Sequence, residues 1–403
     1  MRLLFFSHYF WPENFRINEL ASFFSVNKKK NYVLTGFPSY PNKYLFKKKL
    51  DKHKLNKYQN LDIIRVPVFL RGSSNVSIIL NYISFITNSI LFGFFKIFNK
   101  KIDLIFIFCP SPILSAIPGI ILKKIFKKKS VLWVLDLWPN TLIDLKIIEN
   151  KIIVKILKIL VKFIYDNTDL ILAQSIPIRN EIRKITKTKC IYFPSWPEQD
   201  INNEQQSYKN SIEVCKSNQI KILFAGNIGQ AQSFETLIEC AKLLKKEKII
   251  KWVIVGDGRW KAKLKKLINS NNLNNDFQLI DRVPLRNMGS YFREADALFL
   301  SLKRNETFDK TIPGKLQTYM DSSKPIIASI SGETNRIINE SKCGFVSEAE
   351  DYLSLRDNVL KFYYLDINEK KQLGHNGKIY SDINFNKIKI LNNLKQEIES
   401  VIA

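Results

Sequence analysis

Short, unbroken apolar runs separated by helix-length amphipathic stretches dominate this chain. Residues 2–7, 32–35, 61–66, 104–108, 131–135 and 170–173 are such runs. Runs of this kind suit strands covered on both faces, so they predict a parallel sheet with helices between its strands. From 195 to 219 the apolar periodicity disappears and Asn, Gln, Ser and Glu take over, as in a linker. A second series then begins, with strands predicted at 221–225, 252–255, 277–280, 297–300 and 326–330. The chain closes on two helices near 368–380 and 385–401. The fold class read from this pattern is α/β, with two Rossmann-like halves.

Two helical stretches of the first half depart from the ordinary pattern. Residues 76–95 contain no charge over a length close to that of a membrane span. Ser77, Asn81, Ser84 and Asn88 nevertheless recur at helical spacing and form a polar stripe, so the segment reads as a sheet-packed helix with an unusually apolar outer face. Residues 151–162, KIIVKILKILVK, place Lys151, Lys155, Lys158 and Lys162 on one face, with Ile, Leu or Val almost everywhere else. That pattern fits a helix lying on an anionic membrane surface, or a buried helix showing one lysine face to water.

Charge shifts the balance between these two. The 403 residues carry a net +26, and residues 1–200 hold 32 Lys and Arg against 13 Asp and Glu, a net +19. The first half is therefore the one expected to meet an acidic surface, and with that excess the membrane-surface reading is preferred, helped by the lysine-rich segment 43–57. The lysines alternate with aliphatic side chains rather than stacking aromatics and no recognition helix is evident, so nucleic acid is not an expected partner. Five cysteines without paired or metal-like spacing and three histidines point to no metal centre and to a reducing cytoplasm. The N-terminal stretch does not resemble a signal peptide.

Candidate chemistry gathers at the carboxyl ends of the predicted strands, where α/β sheets bind ligands. In the block 306–333, Pro313-Gly314 ends a polar loop and Lys315 opens a short helix with Leu316, Tyr319 and Met320 as its apolar positions. Gly332 and Glu333 open another helix beyond the next strand. Two helix N-termini and a lysine suit a phosphate, while an ordinary αβα unit with a surface lysine accounts for the same residues. The turn Gly226-Asn227-Ile228-Gly229 feeds a helix and is also phosphate-friendly, and Gly256-Asp257-Gly258 repeats the strand-then-glycine pattern. Asp281 to Pro284 forms a loop against which a flat base could lie. In the first half Asp136 follows a central strand, where it could orient an acceptor hydroxyl, act as a base, or simply cap the next helix. No Gly-x-Gly follows the first strand, so a dinucleotide fingerprint is absent.

Taken together, AGNIGQAQSFETLIECA, VIVGDG and TIPGKLQTYM…SKPIIASISGE resemble a family 4 retaining glycosyltransferase of the GT-B fold. HYFWPENFRINELA, LTGFPSYP and DLWP are similar to the subgroup that transfers amino-deoxy sugars such as N-acetylfucosamine in bacterial O-antigen and capsule assembly. The resemblance implies two Rossmann-like domains facing each other across a cleft: residues 1–200 for the acceptor, a linker at 201–219, residues 220–385 for the nucleotide sugar, and a final helix at 386–403 packing back towards the first domain. It implies a nucleotide-sugar donor, most often UDP-linked, no metal ion or other cofactor, and a polyprenyl-diphosphate-linked saccharide acceptor at an anionic membrane surface, on the cytoplasmic side.

Carried onto this chain, the resemblance assigns the donor to Gly226, Asn227, Gly229, Gly256, Val283, Asp309, Thr311, Lys315 and Thr318. It assigns the acceptor side to His8, Glu13, Arg16, Pro38, Tyr40 and Trp138, with Asp136 and Lys315 as the catalytic pair. Many members have two glutamates separated by seven intervening residues before the Lys-Pro strand, where this chain has Lys310 and Thr318. The Arg…Lys pair usual after the GNIG-like turn is also missing, which leaves Lys315 as the basic residue for the diphosphate. A nucleotide-sugar epimerase of the same fold and a basic nucleic-acid-binding protein are the alternative readings.

Overall fold

The computed structural model describes residues 1–26, 30–40, 56–72, 74–144, 146–198, 212–213 and 219–403. The chain divides into two compact units, one made of residues 1–194 and 388–403, the other of residues 195–387. The basic segment 43–57, apart from its last two residues, and most of the linker 201–219 lie outside the described residues.

In the first unit the order is β1 (Leu3–Ser7), α1 (Arg16–Ser25), β2 (Asn31–Gly36), β3 (Lys57–Tyr58), β4 (Leu61–Val66), α2 (Asn75–Ile97), β5 (Leu104–Cys109) and α3 (Ile117–Phe126). It continues through β6 (Lys129–Val134), α4 (Asn140–Asp144), α5 (Lys151–Asp166), β7 (Leu170–Ala173), α6 (Ile176–Ile185) and β8 (Cys190–Tyr192). The strands form one sheet in the order β3-β4-β2-β1-β5-β6-β7-β8, parallel except for β3. The apolar runs are strands because both faces are covered: every residue of β1, β2, β5 and β7 is buried. β1 pairs with both β2 and β5, so the topological switch, where ligands enter such sheets, falls at the end of β1.

The second unit contains β9 (Ile220–Asn227), α7 (Phe234–Leu244), β10 (Ile250–Asp257), α8 (Lys261–Ser270), β11 (Phe277–Ile280), α9 (Met288–Glu294) and β12 (Ala297–Ser301). Next come α10 (Glu306–Asp309), α11 (Gly314–Asp321), β13 (Ile326–Ser329), α12 (Gly332–Ser341), β14 (Gly344–Ser347), α13 (Tyr352–Tyr364) and α14 (Ile367–Asn384). Its sheet is fully parallel in the order β11-β10-β9-β12-β13-β14, with the switch between β9 and β12. The last helix, α15 (Lys387–Ile402), belongs to the first unit, where Glu397 pairs with Lys189 at 2.6 Å.

Three short strands, β3, β8 and β14, are absent from the sequence reading. β14 has a packing signature instead of a periodic one. A Cβ on Gly344 would lie 1.8 Å from the Ile326 carbonyl oxygen, so only glycine lets this edge strand approach β13.

Candidate active site

The switch point of the second sheet is built around Lys315. Its helix, α11, starts after Pro313 with no side-chain cap, leaving the first amides without side-chain partners. Tyr319, one turn further, fastens the helix to β9: the Ala225 amide donates to its hydroxyl at 2.9 Å, and the hydroxyl donates back to the Ala225 carbonyl at 3.3 Å. This holds the Lys315 side chain along the end of β9, where its ammonium lies 3.8 Å from the centre of the Phe224 ring and donates to Gln232 Oε1. Among the described residues no carboxylate pairs with it. Burial pulls its pKa down to about 7. A Cβ added to Gly314 would meet nothing within 4 Å, so the first turn of α11 faces open space. A desolvated ammonium beside uncapped amides, with an ordered carbonyl as its polar partner, is suited to an incoming anion.

The remaining donor candidates divide by position. Gly226 is exposed with φ +139°, and its Cα faces the Lys315 side chain. Asn227 is exposed, and its side-chain amide fills the space over Gly229. The Asp309 carboxyl is raised above the usual carboxylate range by burial and then by Glu348 nearby. Val283 packs against the apolar core of the unit.

Three residues stand elsewhere than expected. Gly256 is buried with φ +154°, and a Cβ there would sit 1.9 Å from the Gly226 carbonyl oxygen, so it supports the turn from beneath. Thr311 turns its hydroxyl onto the Thr307 carbonyl at 3.0 Å. Thr318 is buried and accepts from the Glu198 amide at 3.1 Å, tying the start of this unit to α11. The second helix N-terminus, at Gly332, differs as well. Glu333 is buried there and paired with Arg336 at 2.9 Å, so it supplies its own negative charge. The local sequence hid Gln232, Phe224 and Tyr319 as partners of Lys315, since they are brought to it from β9, the turn after it and the next turn of α11.

In the first unit Asp136 follows β6, half-buried. Among the described residues its carboxylate has no hydrogen-bond partner, and burial raises its pKa to about 6. The cap reading therefore finds no hydrogen bond to support it. Trp138 is half-buried, with Nε1 donating to Ser111 Oγ at 3.2 Å. His8 is buried in a sandwich of Tyr9 and Phe85, each 4.2 Å away, with neither ring nitrogen bonded. Burial and then the Arg71 charge depress its pKa to about 3, so it is a neutral ring in the working range.

Glu13 serves the backbone, accepting from Ser39 at 2.8 Å, Tyr40 at 2.6 Å and Phe10 at 3.2 Å, and burial lifts its pKa to about 7. Pro38 is buried, which removes it from the acceptor surface, and Arg16 is turned towards Glu19 at 3.4 Å. Tyr40 is exposed and leans on Tyr9 and Phe15. Glu13 and Pro38 thus shape the loop that presents Tyr40.

The outer helices of this unit combine charge and apolar surface. The polar stripe of α2 faces inward: Asn81 and Asn88 donate to the Phe69 and Pro67 carbonyls at 2.7 and 2.8 Å, and Ser84 accepts from the Phe69 amide at 2.8 Å. Val76, Ile83, Leu91 and Phe95 point outward, the last 77% exposed. Among the described helices α2 alone is long and apolar enough to cross a membrane, and 22% of that stretch is buried. α5 buries only Leu157, Val161, Ile164 and Tyr165, while Ile152, Ile156 and Ile159 share the outside with the lysines. This corrects the picture of a buried helix with one lysine face. α3 links the two, with Phe126 stacked on Phe94 at 5.7 Å and Lys124 over Phe163 at 5.0 Å.

Residues 208–379 match the family model of the glycosyl transferases group 1. That stretch, under half of the chain, is similar to the group 1 glycosyltransferases. The whole chain has the GT-B fold: it superposes on HepE of Anabaena, solved with UDP and glucose, with a TM-score of 0.69 at 12% identity over 99% of this chain and 100% of that one. It is 25% identical to the uncharacterized glycosyltransferase MJ1178 of Methanocaldococcus jannaschii over 82% of this chain and 83% of that protein. It is 30% identical over 142 residues to WcaI of Escherichia coli, named as a colanic acid biosynthesis glycosyl transferase; that match spans a third of each chain. Lys315 and its partners all lie within the matched stretch, and the match does not favour the epimerase reading.

Proposed function

We propose that the chain transfers a sugar from a nucleotide diphosphate donor, UDP-linked, to a lipid-linked saccharide in surface-polysaccharide assembly, with retention and without a metal ion. The observation that carries this reading is Lys315, half-buried and without a carboxylate partner among the described residues, beside the open, uncapped start of α11. Breaking a glycosyl–phosphate bond places negative charge on the leaving diphosphate, and a fixed ammonium with helix amides stabilises that charge where water is excluded. The UDP held by HepE supports the choice of nucleotide, and the name of WcaI supports surface polysaccharide as the product class. The transferred sugar is an amino-deoxy hexose on the subgroup resemblance.

Asp136 serves the acceptor hydroxyl. The hydroxyl oxygen attacks the anomeric carbon, the bond from that carbon to the diphosphate breaks, and the hydroxyl proton, first held in a hydrogen bond that Asp136 accepts, passes to the Asp136 carboxylate while Lys315 stabilises the leaving diphosphate. The chain works as a peripheral protein on the cytoplasmic face of the plasma membrane. The outward apolar residues of α2 and the lysine–isoleucine surface of α5 supply the contact with anionic lipid.

The test is mass spectrometry of the purified protein with a panel of UDP- and GDP-linked sugars, followed by transfer assays with membrane-extracted acceptor with and without chelator. Retention of a UDP-sugar and its chelator-resistant transfer are expected. Selective retention of a GDP-sugar would overturn the nucleotide assignment.

A further inference from the structure

Arg71 is the lone charged residue between Arg65 and Lys96, and it sits at the carboxyl-end rim of the first sheet, between β4 and α2. Its Nη1 donates to the hydroxyls of Tyr9 and Tyr82, both at 2.8 Å, and its guanidinium carbon lies 5.3 Å from the centre of the Tyr40 ring. These contacts use both hydrogens of Nη1. Nη2 and Nε carry three more N–H donors, for which the described residues supply no acceptor and no carboxylate. A planar guanidinium fixed at one nitrogen and open at the other two presents the fork that phosphate oxygens match. Beneath it lies His8, buried, unbonded and neutral, so the floor of the site holds no competing cation. Five residues beyond Arg71 the outward face of α2 begins, with Val76, Ile79, Leu80 and Ile83 exposed.

We propose that Arg71 binds the diphosphate of a polyprenyl-diphosphate-linked acceptor, whose hydrocarbon chain runs onto the outward face of α2. The assignment rests on the lipid-linked acceptor reading above and adds the group that recognises it. The juxtaposition is what selects this ligand: a soluble anion would need the guanidinium alone, whereas a lipid diphosphate uses the guanidinium and the adjoining apolar surface together. Tyr40, exposed beside Arg71, is placed to stack on the first sugar.

The probes are farnesyl diphosphate, farnesol and dihexanoyl phosphatidylglycerol, added to the full-length protein. Farnesyl diphosphate should bind at least tenfold more tightly than farnesol, and Arg71→Gln should abolish that preference while leaving farnesol binding unchanged. A purely structural role for Arg71 would weaken both ligands together, which would overturn the proposal. Because Arg71→Gln also releases two tyrosine hydroxyls and can impair folding, a second measurement uses the unaltered protein. Farnesyl diphosphate should slow phenylglyoxal modification of Arg71, read on its peptide by mass spectrometry.

Equal protection by dihexanoyl phosphatidylglycerol would replace the diphosphate with a phospholipid headgroup and overturn the assignment. Tight farnesyl diphosphate binding without protection of Arg71 would overturn it while leaving the lipid-linked acceptor standing. The acceptor reading itself fails separately, if no transfer to membrane-extracted acceptor is seen with a donor that binds.

Discussion

The Lys315 ammonium lies 3.8 Å from the centre of the Phe224 ring, two residues before the glycine that ends the apolar part of β9. A ring face and one amide carbonyl hold a lysine in position without supplying a counter-charge. The charge is therefore kept for something outside the protein, and several measurements follow from that.

Lys315→Met keeps the apolar stem and removes the ammonium. UDP affinity should fall by at least tenfold in calorimetry. The unfolded lysine has the higher pKa, so the unfolded state binds more protons between about pH 7 and the ordinary lysine range. Burying this side chain thus costs its full amount below about pH 7, and the cost fades as pH rises towards the ordinary lysine range. The variant should melt higher than the parent at pH 7, by about 2–4 °C per kcal/mol regained, with the gain shrinking towards pH 10. Unchanged UDP affinity would exclude Lys315 from the diphosphate site.

UDP binding should also take up protons. With a pKa near 7 in the free protein, Lys315 is partly neutral at pH 7.5 and becomes charged when a diphosphate arrives. Calorimetry in buffers of different ionisation enthalpy should show net uptake at pH 7.5. That uptake should be lost in Lys315→Met and reduced at pH 6, where the lysine is already protonated.

Asp136→Asn should lower transfer by roughly a hundred- to ten-thousand-fold, the range a positioned proton acceptor contributes, and leave UDP binding untouched. The folded pKa near 6 lies above the unfolded value, so the native state binds the proton more strongly and is penalised as pH rises through that interval. The variant should therefore melt higher than the parent above pH 6 and equal it below about pH 4. Transfer within a few-fold of the parent would return Asp136 to a structural role.

Two glycines separate support from approach. Gly256→Ala places a methyl 1.9 Å from the Gly226 carbonyl and should lower the melting temperature and UDP affinity together. Gly314→Ala meets no neighbouring atom and should leave the melting temperature unchanged or raised, since Ala is the better helix former. Its methyl would nonetheless crowd the approach to α11, so UDP affinity should fall. Equal affinity in both variants would place the diphosphate elsewhere.

Membrane contact should need both helices of the first unit. Co-sedimentation with vesicles containing phosphatidylglycerol should fall with salt, because charge attraction is screened within about 10 Å at 0.1 M. Phe95→Asp on α2, and Lys155→Glu with Lys158→Glu on α5, should each weaken it. Equal binding to neutral vesicles would remove charge from the account.

The sequence alone determined the two parallel sheets, because a strand buried on both faces must be apolar throughout and so announces itself. The apolar runs at β1, β5 and β7 were legible for that reason, and the same logic placed Lys315 at a helix start and Asp136 after a central strand. Short edge strands such as β14 carry no such run, because they are half-covered and held by close backbone approach at Gly344.

The use of each polar group was settled by packing instead. Glu13, Pro38, Thr318 and Gly256 resemble site residues in the chain, yet they serve backbone amides, a loop and a glycine turn brought to them from other segments. Arg71 looks like an ordinary surface charge until Tyr9, Tyr40 and Tyr82 surround it. The polar stripe of α2 had the right period but an undetermined direction. The carbonyls of Pro67 and Phe69 and the Phe69 amide bond to it on that side, and that put the apolar side of the helix outside. Periodicity records which residues share a face, and only the packing partners decide which way that face looks.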